Sequence, residues 1–260
     1  MPTETLEDTL LINRTDLPYQ TDDGIGRRAS IGLLVLQTDQ TIEDEFRFIL
    51  PDGVALYESR LASPVEITPE KLRLMEAEIP VAAGLLPEVE FHSIGFGCTS
   101  GSLVIGEPVV AERVREVKPK TQVTDPVTAA ITALKALRAP RVALLTPYLP
   151  RINENLRRQF MDRGLEIPVM GTFNQPDDNL VARITPDAIK AAILELGKSD
   201  AVDAVFVSCT SMRVARIVTE VEALLGKPVT SSNHAMAWHL LRLAGIDDRM
   251  PQHGRLFETV

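Results

Sequence analysis

The chain repeats itself at a fixed spacing. Of its 260 residues only two are cysteines, Cys98 and Cys209, and they stand 111 residues apart in near-copies of one motif. The first copy is Gly97-Cys98-Thr99-Ser100-Gly101-Ser102 and the second is Ser208-Cys209-Thr210-Ser211-Met212-Arg213. The same offset carries the apolar run Ile31–Gln37 onto Val142–Tyr148, each preceded by an arginine-containing segment. Two landmarks sharing one offset imply an internal duplication, and a duplicated chain is constrained to fold as two similar units. Each unit is expected to hold one strand that ends in a polar turn and another that ends in a cysteine turn. If the units face each other, the cysteines face each other too.

Apolar runs of strand length alternate with helical patterns. Candidate strands are residues 31–36, 54–57, 91–96, 121–124, 142–146, 169–173, 204–207 and 228–230. Asp125-Pro126 reads as an N-cap with a proline at the first helical position, and Val127, Ile131, Leu134 and Leu137 follow at helical spacing. Residues 186–196, capped by Thr185, and 235–243 read as further helices. Behind the second cysteine, Val214, Ile217, Val218, Val221 and Leu224 form an apolar stripe closed by Gly226, and both cysteine turns are expected to open into helices. Alternation of near-continuous apolar strands with helices means parallel sheet covered on both faces, an α/β fold. Ligands of such sheets bind beyond the C-terminal ends of the strands, where both cysteine turns fall.

Hydrophobic content of 45% and charged content of 24% are those of a soluble globular protein. The net charge of −9 argues against a nucleic-acid surface. No apolar run approaches the ~20 residues that cross a bilayer, so no membrane partner is expected. The first 29 residues carry six acids from Glu4 to Asp23 and no apolar core of a signal peptide, and they read as an extended N-terminal arm that packs on a partner subunit. These features point to a reducing, cytoplasmic setting and a homo-oligomer. His92, His234, His239 and His253 are scattered and read as structural, leaving no metal-ligand set.

A cysteine in the first turn of a helix is expected to have its thiolate stabilised by the helix dipole and the free amides there. The following Thr-Ser pairs offer hydroxyls and amides to a substrate carboxylate. Paired thiols on opposite faces of one carbon suit proton removal from one side and delivery from the other. Tyr148, at the end of its strand, is placed to stabilise the negative charge that develops. Asp39, in the equivalent turn of the first half, is placed to orient Cys98 or accept hydrogen bonds from substrate, and Arg213 to hold a thiolate charge. Asn153 reads as a helix residue.

The segments Phe96–Ser102, Thr146-Pro147-Tyr148 with Asn153-Glu154, Val207–Ser211, and Ser231-Ser232-Asn233-His234-Ala235 with Trp238 resemble the aspartate/glutamate racemase superfamily, in its maleate cis–trans isomerase and arylmalonate decarboxylase branch. The resemblance runs from about residue 30 to 245. It implies two pseudo-symmetric Rossmann-like domains with the active site in the cleft between them. The boundaries expected are an arm over 1–29, a first domain of 30–124 plus 231–260, and a second of 125–230. It also implies catalysis without metal or organic cofactor on a small carboxylate substrate. Cys98 and Cys209 would be the catalytic thiols, and Asp39, Thr99, Ser100, Tyr148, Thr210 and Ser211 the substrate-binding residues. The activity implied is that of an isomerase or racemase at a carbon next to a carboxylate. The alternatives are a decarboxylase using Cys209 as proton donor, in which glycine typically holds the first cysteine position, and a non-catalytic small-molecule binding protein. Maleate isomerases would carry a neutral asparagine where Asp39 stands. At ~4 Å and an effective dielectric of about 20, a carboxylate there repels an anionic group by roughly 4 kcal/mol, so Asp39 fits a substrate bearing an ammonium or amide nitrogen.

Overall fold

The computed structural model describes residues 14–63 and 69–260. Eight strands form two four-stranded parallel sheets. The first comprises β1 (Ala29–Leu36), β2 (Val54–Leu61), β3 (Ser93–Gly97) and β4 (Gln122–Thr124). The second comprises β5 (Arg141–Thr146), β6 (Glu166–Thr172), β7 (Ala204–Val207) and β8 (Val229–Ser231). Their orders, β2-β1-β3-β4 and β6-β5-β7-β8, are identical under the shift from one half to the other. The repeat read from two landmarks is thus a repeat of whole topology. All eight strands fall on predicted segments, with β2 longer by four residues at its C-terminus. In β1 Ser30 and Gly32 interrupt the apolar run, yet seven of its eight residues are buried because helices cover both faces.

The helices are α1 (Ile42–Ile49), α2 (Pro69–Leu74), α3 (Glu78–Gly84), α4 (Thr99–Ile105), α5 (Glu107–Arg115), α6 (Pro126–Ala136), α7 (Pro150–Asp162), α8 (Asp178–Val181), α9 (Pro186–Gly197), α10 (Val218–Leu225) and α11 (Ser232–Leu243). Several have chemically explicit starts. Asp125 Oδ1 accepts from the amides of Val127 (2.8 Å) and Thr128 (3.3 Å) ahead of α6, and Thr185 caps α9 through Ala188 N at 3.2 Å. Helix α11 begins three residues earlier than the periodicity indicates, because Ser231 caps it by accepting from His234 N at 3.2 Å.

Two expectations about the segment after Cys209 are corrected. The chain there forms a turn and a short 3-10 segment (Ala215–Ile217) before α10 begins at Val218, so the second cysteine turn does not open directly into a helix. Leu224 is 62% exposed, and Leu225 instead packs on the core, because α10 begins only at Val218. Gly226 does close α10, with φ of 70° in the left-handed region. The N-terminal arm falls partly outside the described residues. From Arg14 to Arg28 it is almost wholly exposed, anchored where Arg28 pairs with Asp248 at 2.6 Å.

The halves exchange helices. Helix α6 leaves the first sheet and packs Val127, Ala130, Ile131 and Leu134 into the core of the second. Helix α11 leaves the second sheet and packs Ala235, Met236, Leu240 and Leu241 into the core around β1 and α1. Ser93 Oγ, at the start of β3, donates to Leu240 O at 2.9 Å. A polar tie crosses beside them: Glu45 of α1 accepts from the amides of Val214 (2.6 Å) and Ala215 (2.7 Å) and from Asn233 Nδ2 (2.9 Å). Glu45 is 3% exposed, and burial lifts its pKa from 4.5 to about 7 against the pull of those hydrogen bonds.

A carboxyl raised in the folded state binds its proton more tightly there than in the unfolded chain. Its stabilising contribution is therefore complete below about pH 4.5 and is lost as pH rises through about 7. Glu45→Gln should flatten the stability profile between pH 5 and 7.5, removing a pH-dependent contribution of about 3 kcal/mol. Thermal unfolding at stepped pH measures this, and parallel profiles for the variant and the natural chain would contradict it.

Candidate active site

Four turns meet at the C-terminal ends of the two central strand pairs. Asp39 follows β1, Cys98 follows β3, Tyr148 follows β5 and Cys209 follows β7. These are the switch points of both sheets, where neighbouring chains leave in opposite directions and open a crevice. Cys98, Thr99, Ser100, Tyr148, Cys209 and Thr210 line one narrow cavity of about 20 Å³ between the halves, the space of a single water molecule. Six of the eight residues singled out from the sequence thus share one chamber. Asp39 and Ser211 stand one layer behind it.

Cys98 is the N-cap of α4, and its Sγ accepts from Gly101 N at 3.1 Å. Gly101 is required by that contact: a Cβ there would lie 2.8 Å from Sγ and 3.3 Å from the Phe96 ring. The Ser100 hydroxyl lies 3.7 Å from the same sulfur.

Cys209 is held differently. Its φ of 147° is a conformation that residues with a Cβ rarely adopt, a strain of order 1–3 kcal/mol. The turn keeps that shape through contacts that reach it from elsewhere in the fold. Cys209 N donates to Ser232 Oγ (3.0 Å), which also meets Thr99 Oγ1 (3.0 Å) and so joins the two cysteine turns. Asn233 Nδ2 donates to Thr210 O (2.7 Å), and Thr41 Oγ1 to Ser211 O (3.1 Å).

Tyr148 is fixed by its own half. Asn153 Nδ2 donates to Tyr148 O (2.8 Å), Thr172 Oγ1 donates to the same carbonyl (2.7 Å), and Asn153 Oδ1 accepts from Thr146 Oγ1 (2.5 Å). Asn153 is thus a helix residue, as expected, whose side chain builds the turn. The Tyr148 phenol lies beside the Cys209 thiol, and burial, then the charge of Cys209, raise its pKa well above 10, so it is a proton-bearing donor.

The thiols are corrected in the other direction. Burial drives Cys98 up to about 12 and raises Cys209 further, and the carboxylates of Asp178 and Asp39 add to both rises. Desolvation outweighs the helix-end amides because α4 is only seven residues long and Cys209 caps no helix at all. Arg213 does not reach the sulfur; it is exposed and donates to Ile184 O at 2.9 Å.

Asp178 is the wall residue that the sequence did not disclose. It lies at the start of the one-turn helix α8, lines the chamber, and accepts from Ser211 Oγ (2.7 Å) and Thr38 Oγ1 (3.1 Å). Asp39 uses Oδ1 to accept from the amides of Thr41 (2.7 Å) and Ile42 (2.9 Å) at the head of α1, while its buried Oδ2 has no hydrogen-bond partner of proper geometry. Burial raises the pKa of both acids. No lysine or arginine stands among the described residues that line the chamber. Among the described residues, no group of three or more His, Cys, Asp and Glu side chains is placed to hold a metal ion, and no helix is long and apolar enough to cross a membrane.

The family model of arylmalonate decarboxylase matches residues 31–257. The chain belongs to the arylmalonate decarboxylase family. Maleate isomerase of Nocardia farcinica is 29% identical over 241 residues, which are 87% of this chain and 94% of that protein. A cysteine-to-serine mutant of the Nocardia farcinica maleate cis-trans isomerase, with a covalently bound succinylcysteine intermediate, superposes with a TM-score of 0.81 at 26% identity, covering 88% of this chain and 98% of that one. A liganded double mutant of arylmalonate decarboxylase, glycine to cysteine and cysteine to serine, superposes at 0.78 and 26% identity, covering 88% and 99%. The two-domain α/β architecture and the branch expected from the sequence are those of these proteins.

Two outcomes follow from this geometry. Gly101→Ala should displace the Cys98 sulfur and lower turnover at least tenfold, while the thermal midpoint moves by only a few degrees; equal turnover would contradict the packing. Alkylation by iodoacetamide should be slow at pH 7 and its rate should still be rising at pH 10, as expected for buried neutral thiols. A plateau reached below pH 8 would mean a stabilised thiolate.

Proposed function

We propose that this protein is a cofactor-independent isomerase that acts at a carbon next to a carboxylate, with Cys98 and Cys209 working on opposite faces of that carbon. The observation that carries the reading is one chamber lined by two thiols from opposite halves, with the Tyr148 phenol beside them. The likeness to maleate isomerases, one of them with a covalent cysteine intermediate, supports a reactive thiol in such a site, although there the sulfur bonds to carbon.

One sulfur, as thiolate, takes the α-proton. The electron pair left behind spreads into the carboxylate as an enediolate, to which Tyr148 and the hydroxyls of Thr99, Ser100 and Thr210 donate. The second thiol then delivers its proton to the opposite face. Proton and charge counts are unchanged, and the two sulfurs have exchanged roles.

The electrostatics favour a substrate with a nitrogen bearing N–H groups over a plain dicarboxylate. A second carboxylate would meet Asp178 in the wall and Asp39 behind it, with no facing cation. An ammonium or amide nitrogen against Asp178 would instead offset the repulsion that raises both thiols, so binding would help to generate the thiolate. Two free, buried cysteines suit a reducing compartment, as in the cytoplasm.

A decarboxylase is the second reading, favoured by the family match. It needs Cys209 as sole proton donor, and a thiol at position 98 has no part in it. The test is incubation in deuterated water with a panel of amino acids, N-acyl amino acids and small dicarboxylates. The isomerase reading expects deuterium at the α-carbon, net isomerisation reduced at least a hundredfold by Cys98→Ser and by Cys209→Ser, and proton exchange on one face surviving in one of them. Carbon dioxide release that needs Cys209 and tolerates Cys98→Ser would replace it with the decarboxylase. Deuterium uptake unaffected by either change would end both.

A further inference from the structure

The chamber is too small to hold a substrate of more than a few atoms, and an open groove of about 450 Å³ adjoins it. Leu72 and Ser100 belong to both walls, so the two spaces are neighbours. The groove runs between α2, α4 and α7. Its floor next to the chamber is apolar, formed by Leu72, Leu103, Val104 and Ile152, and its outer rim carries Arg73, Arg151 and Arg158.

The charge at that rim runs against the rest of the molecule. In a chain of net charge −9, three arginines gather around one groove against a single acid, Glu154, which already lies 3.7 Å from Arg158. Arg151 stands in the first turn of α7, a 13-residue helix whose positive end faces the same space. Arg151 is exposed and makes no ion pair with the described residues. Tyr148, two residues before α7, lines the chamber. A molecule seated at the thiols lies next to the groove across Leu72 and Ser100, and an arm that passes them reaches guanidinium groups suited to a planar anion.

We infer that the groove is a distal subsite, and that the natural substrate carries, beyond the reacting carbon, an apolar arm of several atoms ending in an anionic group such as a carboxylate or phosphate. This rests on the proposed function for the location of the reacting carbon, and it specifies the class of molecule that the same site takes. The inner chamber selects against a second negative charge through Asp178, while the groove selects for one at a distance.

Four saturated eight-carbon probes separate the two ideas: octanoate, suberate, 2-aminooctanoate and 2-aminosuberate, each titrated calorimetrically into the full chain. The groove predicts that the terminal carboxylate strengthens binding at least tenfold in both the plain and the amino pair. Arg151→Gln should remove most of that gain and leave octanoate and 2-aminooctanoate within twofold; Arg151→Lys should keep part of it. The gain should shrink as salt is raised. The 2-amino group is read independently, as an advantage lost in Asp178→Asn but untouched in Arg151→Gln. Equal binding of diacid and monoacid, no binding of any of the four, or an Arg151→Gln effect that is the same on both members of a pair would overturn the subsite. A terminal-carboxylate gain that vanishes in Arg151→Gln, found with an enzyme that exchanges no α-proton, would uphold the subsite and end the catalytic reading.

Discussion

The turn after β7 has no regular structure of its own to satisfy its backbone, and the site depends on how that need is met. Buried amides and carbonyls must find partners. Here they find them in Thr41, Glu45, Ser232 and Asn233, side chains that stand outside the second sheet. The first cysteine turn needs less, because α4 continues its backbone pattern and Gly101 lets its amide approach the sulfur. Duplication therefore repeats the sheets and leaves the two reactive turns unlike. One is the start of a helix, and the other is a strained loop clamped by its surroundings.

The same clamp links position to electrostatics. Glu45 cannot hold Val214 and Ala215 without being buried, and burial raises its proton affinity. Asp178 cannot hold Ser211 behind the Cys209 turn without presenting a carboxylate to the chamber, and that carboxylate adds to the burial that keeps the thiols neutral. Groups that fix the geometry thus also set the charge that a ligand encounters. The chamber disfavours anions on its inner side, and the nearest arginines lie outside it.

The central strands β1, β3, β5 and β7 are legible because buried parallel strands are nearly continuous apolar runs, while the edge strands β4 (Gln122-Val123-Thr124) and β8 (Val229-Thr230-Ser231) are marked more by their place between helices. The cysteines were legible because both residues of a scarce type fell into matching turns. Tyr148, Thr99, Ser100 and Thr210 followed from their places next to strand ends. Asp178 was not legible: it sits in Gln175-Pro176-Asp177-Asp178, a polar stretch whose acids look solvated, and only the fold brings it beneath Ser211. Glu45 was hidden in the same way, as one of three acids in the first turn of α1, with nothing local to mark it as the buried one. Ser232 and Asn233 lay within a recognised segment, but their targets are more than twenty residues away and cannot be read from spacing. The thiol acidity is not legible, because a sequence shows the helix start and not the depth at which it is buried.

The exchange of α6 and α11 has a consequence for the chain as a unit of folding. Each sheet is covered on one face by a helix whose preceding strand belongs to the other sheet. A fragment ending before residue 125 would carry β1 to β4 but not Met236, Leu240 and Leu241, and so would expose the patch of core that α11 covers. A fragment beginning after α6 would lack Val127, Ile131 and Leu134 in its own core. Neither half of the sequence carries the whole core around its own sheet, and the two are bound together as crossed loops of cord are, each passing under the other.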